Sequence, residues 1–392
     1  MRLAFHGDAA LPLRQAREGG RGMPEGRAAV LTEYEEPLSV VTAQFDGPAP
    51  GEVLVRMAYS GVCHTDQHVV TGDLPLPLPM VLGHEGSGRV EAVGEGVSSV
   101  APGDRVVLSW LPACGGCLAC RRGWTGMCRE SAKAAENGTL WRGRTAVSQG
   151  GEALHVMSLA GTLASYAVVP AAGVVRLPPS LPLREAALLG CSAITGYGAV
   201  AHSAAVEPGS TVTVIGVGGV GQQVVMASRL LGASRVIAVD RFPTRLAAAG
   251  RLGATDLVDA GAEDPLMAVL DRTDGLGSDY AFEVVGTTAT IAQAFNSIRP
   301  GGTAVVVGVA PPHEEVSLNA FAFPSQGKTL KGTWYGSGDT AADVLVLAEA
   351  HAAGRIDLTA FLGPTWPLER VNEAFAALRG GEPGRPMVEL GA

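Results

Sequence analysis

The stretch Thr211–Gly221, TVTVIGVGGVG, constrains this chain more than any other segment. It sets Gly216, Gly218 and Gly221 in G-x-G-x-x-G spacing, directly after an apolar strand and directly before a helix. Each glycine has its own physical reason. The first permits the tight turn, the second lets a pyrophosphate approach the backbone, and the third lets helix and strand pack closely. The helix N-terminus then faces the phosphates. Gly219 and Val220 complete the turn. Asp240 ends the next apolar run, 19 residues after Gly221. A carboxylate there accepts hydrogen bonds from ribose hydroxyls and repels a 2′-phosphate. The pattern points to NAD(H), with a ligand-free tight turn as the rival reading. Arg241 and Arg245 follow the aspartate; they read as surface charge, with some tolerance of a 2′-phosphate as the alternative.

The surroundings fit that turn. Thr211–Ile215, Val236–Val239, Asp256–Val258, Tyr280–Val285 and Ala304–Val307 are short apolar runs, separated by helical patterns such as Gln222–Leu231 and Thr290–Ile298. Alternating strand and helix predicts an α/β unit: a doubly wound parallel sheet with helices on both faces, over residues 193–334. Thr329–Tyr335 supplies a sixth strand. Before residue 192 the pattern is β-rich. Glu52–Tyr59, Gly88–Val93, Arg105–Leu108 and Leu163–Val169 read as strands between Gly/Pro turns, residues 110–130 as a Cys- and Gly-rich loop, and 131–161 as a long irregular excursion. Helices at Ala341–Ala353 and Leu368–Leu378 and a strand at Met387–Leu390 close the chain.

Composition removes several function classes. With 47% hydrophobic and 17% charged residues the 392-residue chain is not intrinsically disordered. A formal charge of −9 argues against nucleic acid as a partner. Every apolar run is broken before it spans a bilayer, so no membrane partner is expected. Residues 1–22 carry Arg2, Arg14, Arg17 and Arg21 without a cleavable signal pattern. They read as a dispensable extension, or as the product of an upstream start with Met23 as the functional one.

Six cysteines in a chain this long form no disulfide scaffold. Four are close together, Cys114-x2-Cys117-x2-Cys120-x7-Cys128. This spacing wraps four thiolates around one tetrahedral ion and suits a closed structural Zn²⁺ site. An iron–sulfur cluster and two disulfides are the alternatives. Cys63 and Cys191 stand apart. With His84 they can form a Cys2His site with one open position, the catalytic type. By spacing alone, two buried cysteines and an ordinary histidine fit as well.

Taken together, GVCHTD at 61–66, GHEGSG at 83–88, the four-cysteine lobe, GCSAITGYG at 190–198 and GVGGVG with Asp240 resemble the zinc-dependent alcohol dehydrogenases of the medium-chain dehydrogenase/reductase superfamily. The motifs run in family order from about Met23 to Leu390. The resemblance implies a GroES-like catalytic domain, residues 23–192 and 335–392, split around a Rossmann domain. It implies two Zn²⁺ per chain: a catalytic ion on Cys63, His84 and Cys191 with Glu85 close behind, and a structural ion on Cys114, Cys117, Cys120 and Cys128. Asp66 would orient His84. Thr65 and His68 would relay the alcohol proton, and His64, Thr195, Val220, Val309 and Arg385 would contact NAD(H). The Lewis-acidic metal would polarise an alcohol or carbonyl while hydride passes to or from the nicotinamide.

Trp110, Leu74 and Leu163 match pocket walls, and apolar walls suit an apolar or aromatic primary or secondary alcohol or aldehyde. The glutathione-dependent formaldehyde dehydrogenases share much of this sequence, but in residues 72–77 Asp73 is the single acid, one place off their register. A thiol-dependent formaldehyde dehydrogenase is therefore the alternative enzyme, and a non-catalytic NAD- or zinc-binding protein the alternative from another class. The motif ending His68-Val-Val-Thr-Gly72 resembles members that retain their cofactor tightly. The long 131–161 excursion resembles dimeric members, so a homodimer joined through Rossmann edge strands is expected. With no cysteine left for a disulfide, the expected location is cytoplasmic.

Overall fold

A computed structural model describes residues 24–391 except 312 and 383. The expected N-terminal extension, residues 1–22, lies outside the described residues.

Residues 211–332 form a six-stranded parallel sheet. Its spatial order is Asp256–Asp259, Arg235–Asp240, Thr211–Ile215, Ser278–Glu283, Ile298–Val306, Thr329–Gly332. Strand order therefore reverses beside Thr211–Ile215, and the crevice at such a switch point is where open α/β sheets bind ligands. Alternation along the strands builds both cores. Val236 and Ala238 face one side with Val212, Phe282 and Leu347. Ile237 and Val239 face the other with Val258, Phe295 and Ile298. Covering a parallel sheet on both faces explains its near-continuous apolar runs.

The remainder is β-rich. In a seven-stranded sheet the order runs Val174–Arg176, Arg105–Leu108, Glu85–Val93, Glu52–Gly61, Arg385–Glu389, Leu362–Pro367, with Tyr166–Pro170 also paired to Glu52–Gly61. Here too one strand serves two cores: Val53, Val55 and Met57 point one way and Leu54 the other. The C-terminal strand lies antiparallel to residues 59–61, and Val62 N–H donates to Pro386 O at 2.9 Å. That pairing brings the chain's last strand beside Cys63.

Three expectations need correction. Residues 131–161 are not irregular: they hold a helix, Arg129–Glu136, and a hairpin, Val147–Gln149 with Glu152–Ala153, that extends the sheet of Ser39–Phe45. Buried Ala134, Leu140, Val147 and Leu154 anchor the region, and its polar residues lie between them. The 110–130 stretch likewise contains two short helices, Leu118–Arg121 and Thr125–Met127. The sixth strand stops at Gly332, before a turn in which Tyr335, Gly336 and Ser337 all adopt positive φ, a backbone no strand can carry.

Candidate active site

The glycine turn is built as its residue types require. Gly216 has φ +87°, and a Cβ there would stand 2.5 Å from Val285 Cγ2. A Cβ on Gly221 would collide with the Gly216 carbonyl, which is why the helix Gly219–Leu230 can sit so close to its strand. Gly218, at the helix N-cap, faces open space whose nearest atom is Arg245 Nη1, 3.9 Å away. His64, Gly219, Gln222, Arg245, Glu382 and Arg385 line the crevice around it. Arg385 is buried, its guanidinium 3.4 Å from where a Gly219 Cβ would be, and its Nη2 has no partner among the described residues. An orphaned buried donor beside a helix N-terminus fits an anionic group such as a dinucleotide pyrophosphate.

Asp240 accepts from Val217 N–H at 2.9 Å and Phe242 N–H at 3.0 Å, which ties the glycine turn to the end of the second strand. Both Arg241 and Arg245 stack on the Phe242 ring, 4.9 and 4.6 Å from its centroid. Val309 is exposed, with its backbone against Gly286 at the C-terminal edge of the same sheet. Val220 lies in the first turn of the helix after Gly218. Thr195 donates its hydroxyl to Cys191 O at 2.7 Å, on a helix that packs against that same dinucleotide-facing helix.

Ligand atoms of Cys63, His84 and Cys191, all buried, lie within 4.8 Å of one another. Cys63 caps the helix His64–Val70, His84 precedes the strand Glu85–Val93, and Cys191 caps the helix Ser192–Gly198. Asp66 joins the first two. Its Oδ2 accepts from Cys63 N–H at 2.8 Å, and its Oδ1 accepts from Gly83 N–H at 3.1 Å and lies 3.2 Å from His84 Nδ1. With Nδ1–H held by the carboxylate, His84 keeps Nε2 for a cation. Burial, the largest single effect, opposes a charged His84, but Asp66 and Cys63 together outweigh it and hold the imidazole well above its ordinary range.

The hydrogen bond from Cys191 lowers Cys63 well below the usual thiol range. That same bond, then burial, pushes Cys191 up. Two thiols sharing one proton beside a basic histidine form a donor set that suits Zn²⁺; Cys63, His84 and Cys191 would hold the ion, and it would supply Lewis acidity there.

Glu85, wholly buried behind these ligands, is pushed up to about 7 by burial against the pull of Arg385. Arg385 Nε stands 3.0 Å from Glu85 Oε2, an ion pair by distance without hydrogen-bond alignment. Ser192 donates to Glu85 Oε1 at 2.7 Å. Thr65 Oγ1 lies 3.7 Å from Cys63 Sγ. His68, one turn later on the same helix face, is half-buried, with Nδ1 3.4 Å from Asp73 Oδ2.

The four lobe cysteines also converge, their sulfurs within 4.8 Å of one another. Backbone amides prepare them for charge: Cys114 N–H points at Cys128 Sγ, 3.3 Å, and Cys117 N–H at Cys114 Sγ, 3.4 Å. The N–H of Cys120, then that of Arg129, lowers Cys117 to about 6. Four clustered sulfurs with amide donors fit a closed Zn²⁺ site.

Against the catalytic triplet, Trp110 stands edge-on to His84, with ring centroids 5.9 Å apart. Leu74 is 38% exposed. Leu163 departs from its expected wall position: it has no exposed surface and packs behind the Gly83–His84 turn, where even a Cβ on Gly83 would meet it. Its apolar character serves the core instead.

Two family models match the chain: an alcohol dehydrogenase GroES-like domain over residues 49–179 and a zinc-binding dehydrogenase domain over residues 219–350. A class-3 alcohol dehydrogenase of Myxine glutinosa is 38% identical over 368 residues, covering 93% of this chain and 97% of the relative. The chain belongs to the zinc-binding alcohol dehydrogenases. It is an oxidoreductase that works with zinc and a nicotinamide dinucleotide.

Solved members of this family share the architecture. An alcohol dehydrogenase zinc-binding domain protein from Burkholderia ambifaria superposes with a TM-score of 0.91 at 36% identity, covering 95% of this chain and all of the other. A benzyl alcohol dehydrogenase from Acinetobacter calcoaceticus gives 0.89 at 30% identity, covering 94% and 100%. Among the described residues no helix is long and apolar enough to cross a membrane.

Sequence reasoning alone misses Ser192, Trp334 and Tyr335. Trp334 stacks edge-on to Trp110 at 5.9 Å, and Tyr335 O–H donates to Gly190 O at 2.6 Å beside Cys191. Ser192 lies inside the 190–198 motif, where its neighbour Cys191 draws the attention; no motif flags Trp334 and Tyr335, because their place depends on where the sixth strand ends.

Proposed function

We propose that this alcohol dehydrogenase interconverts apolar or aromatic alcohols and their carbonyl products with NAD(H), using two zinc ions per chain. The reading rests on Cys63, His84 and Cys191 for one ion and on the four lobe cysteines for the other. When bound, the first supplies Lewis acidity toward the reacting oxygen, and the nicotinamide exchanges the hydride.

The chain's own residues do the rest. Asp66 holds His84 and the Cys63 amide in a fixed relation. The Thr65 hydroxyl holds the proton on the substrate side, and His68, half-buried one turn along, hands it to solvent. Glu85 and Arg385 bury a charge pair behind the ligands, and Arg385 with Arg245 meets the cofactor phosphates. Asp240 favours NAD over NADP by repelling a 2′-phosphate.

The observation that carries the substrate class is the aromatic wall. Trp110 presents its edge to His84, and Trp334 extends that wall outward. Such a wall narrows the approach to the metal and favours flat apolar substrates over small polar ones. Kinetics over a panel of primary, aromatic and terpenoid alcohols and aldehydes, with NAD(H) and NADP(H), tests it. The highest kcat/KM is expected on aromatic substrates with NAD(H), and a preference for ethanol would overturn the substrate class.

Asp73 is the one acid in residues 72–77 that could meet a thiol adduct of formaldehyde. It accepts from Thr71 at 2.7 Å and lies beside His68, so it is already engaged within its own loop. Formaldehyde turnover that rises with added low-molecular-weight thiols would establish that second reading. We assign the protein to a reducing, cytoplasmic compartment, since all six cysteines are free and gathered at the two centres.

A homodimer joined at the Rossmann edge completes the proposal. Thr329–Gly332 is the outer strand of its sheet, paired on one side only among the described residues. Phe321, 74% exposed and eight residues before it in the chain, is uncovered apolar surface. An unpaired strand edge with apolar flanks is a natural template for a second copy.

A further inference from the structure

A series of rings leads out of the metal site. Trp110 stands 5.9 Å from His84 at an interplanar angle of 81°. Trp334 stands 5.9 Å from Trp110 at 76° and is 42% exposed. The two indoles thus run from a metal ligand to solvent.

What holds Trp334 there is not its own strand. The following residues Tyr335, Gly336 and Ser337 take φ values of 54°, 78° and 58°. Two non-glycine exceptions flanking one glycine persist only where the surroundings over-determine them. On the inner side, Tyr335 O–H is held by Gly190 O, and Gly336 fits against Ile194 and Gly198 with no room for a Cβ. On the outer side the holder is the four-cysteine lobe. Its short helix Thr125–Met127 lies between Cys120 and Cys128. Thr125 donates its hydroxyl to Gly338 O at 2.8 Å. Gly126 sits so close to the Trp334 carbonyl that a Cβ would stand 2.8 Å from that oxygen.

We propose that the four-cysteine lobe is a specificity element as well as a closed metal site: through Thr125 and Gly126 it fixes Trp334, and Trp334 with Trp110 sets how bulky an alcohol reaches the catalytic centre. Thr125 and Gly126 are positioning residues that act through the Trp334 backbone. The specificity half of this inference rests on the catalytic reading above; the positioning half does not.

Thr125→Val keeps the side-chain shape and removes the hydroxyl, and Thr125→Ser restores it. Two readouts are taken on the full-length, zinc-loaded protein. One is the near-ultraviolet circular dichroism of the Trp110–Trp334 pair, with Trp334→Phe as the trace lacking it. The other is the KM of benzyl alcohol against that of ethanol. In Thr125→Val the pair signal falls toward the Trp334→Phe trace, and the KM for benzyl alcohol rises about five-fold, the scale of one lost hydrogen bond. Ethanol kcat stays within about two-fold, because the loss is one of binding rather than chemistry. Thr125→Ser restores both readouts.

A Thr125→Val protein with wild-type pair signal and wild-type KM ratio overturns the proposal. A lost pair signal with an unchanged ratio overturns its specificity half. If Thr125→Val fails to fold or to keep its lobe zinc, Gly126→Ala takes its place: a changed pair signal and KM ratio support the proposal, and wild-type values of both overturn it. Should the wild type oxidise no alcohol, the catalytic reading fails while the pair signal still decides the positioning claim.

Discussion

Asp66 ties together two stretches that lie 17 and more residues apart in the chain, and it does so with both carboxylate oxygens. Asp66→Asn replaces one acceptor with a donor that faces either an amide N–H or the His84 ring. Zinc affinity at that centre is expected to fall about 10- to 100-fold, the usual cost of losing such an orienting partner. Competition against a chelator measures it, and an unchanged affinity would falsify the orienting role. Cys63→Ser goes further. Metal analysis is expected to drop from two zincs to one per chain, with alcohol oxidation lost; activity that survives without that zinc contradicts the mechanism. His68→Ala is expected to lower turnover by about 10²-fold, with recovery in imidazole buffer, as for a missing proton carrier. At this scale the four lobe ligands are legible in the sequence, because thiols at a regular short spacing have few other uses, whereas Cys63, His84 and Cys191 are too far apart for spacing alone to join them. Leu163 is not, because an apolar residue beside a metal motif suits a pocket wall and a core equally.

Elements decide what the glycines and the less obvious histidine do. Gly221→Ala drives a Cβ into the Gly216 carbonyl, so the helix must lift from its strand. NAD(H) binding measured by calorimetry is expected to disappear even if the fold survives. The pair His202–Asp343 joins the irregular helix Ala199–Ala204 to the helix Thr340–Ala352, with Nε2 2.9 Å from Oδ1. The hydrogen bond to Asp343 raises His202 above 6.5 against the opposing effect of burial. A raised folded-state value means the stabilisation is fully present below 6.5 and fades as pH rises through the folded value. The side chain is 37% exposed, so solvent screens the pair and the effect stays under about 1 kcal/mol. Urea unfolding of wild type and His202→Gln at pH 5.5 and 8.5 is expected to show the wild-type advantage at the lower pH only. Most strands and helices are legible from periodicity; the hairpin and helix within 129–153 are not, because their apolar residues are few and widely spaced.

For the whole molecule, the expected assembly is a dimer of 40.0 kDa chains. Light scattering should give twice the chain mass, and Phe321→Asp, which puts a charge on exposed apolar surface eight residues before the outer strand Thr329–Gly332, should shift it toward monomer. A tetramer, or a dimer indifferent to that charge, overturns the edge-strand interface. The dinucleotide turn, the four-cysteine lobe and the doubly wound sheet are already written in the order of the residues. Each is a local pattern, where a glycine without Cβ or a thiol two residues from the next leaves the backbone little choice. Folding alone brings Arg385 to Glu85, Cys191 to Cys63, and the lobe against Trp334. Those contacts join residues far apart in the chain. They depend on sheet register and on where the strand after Lys328 ends, which are set by packing rather than by local spacing.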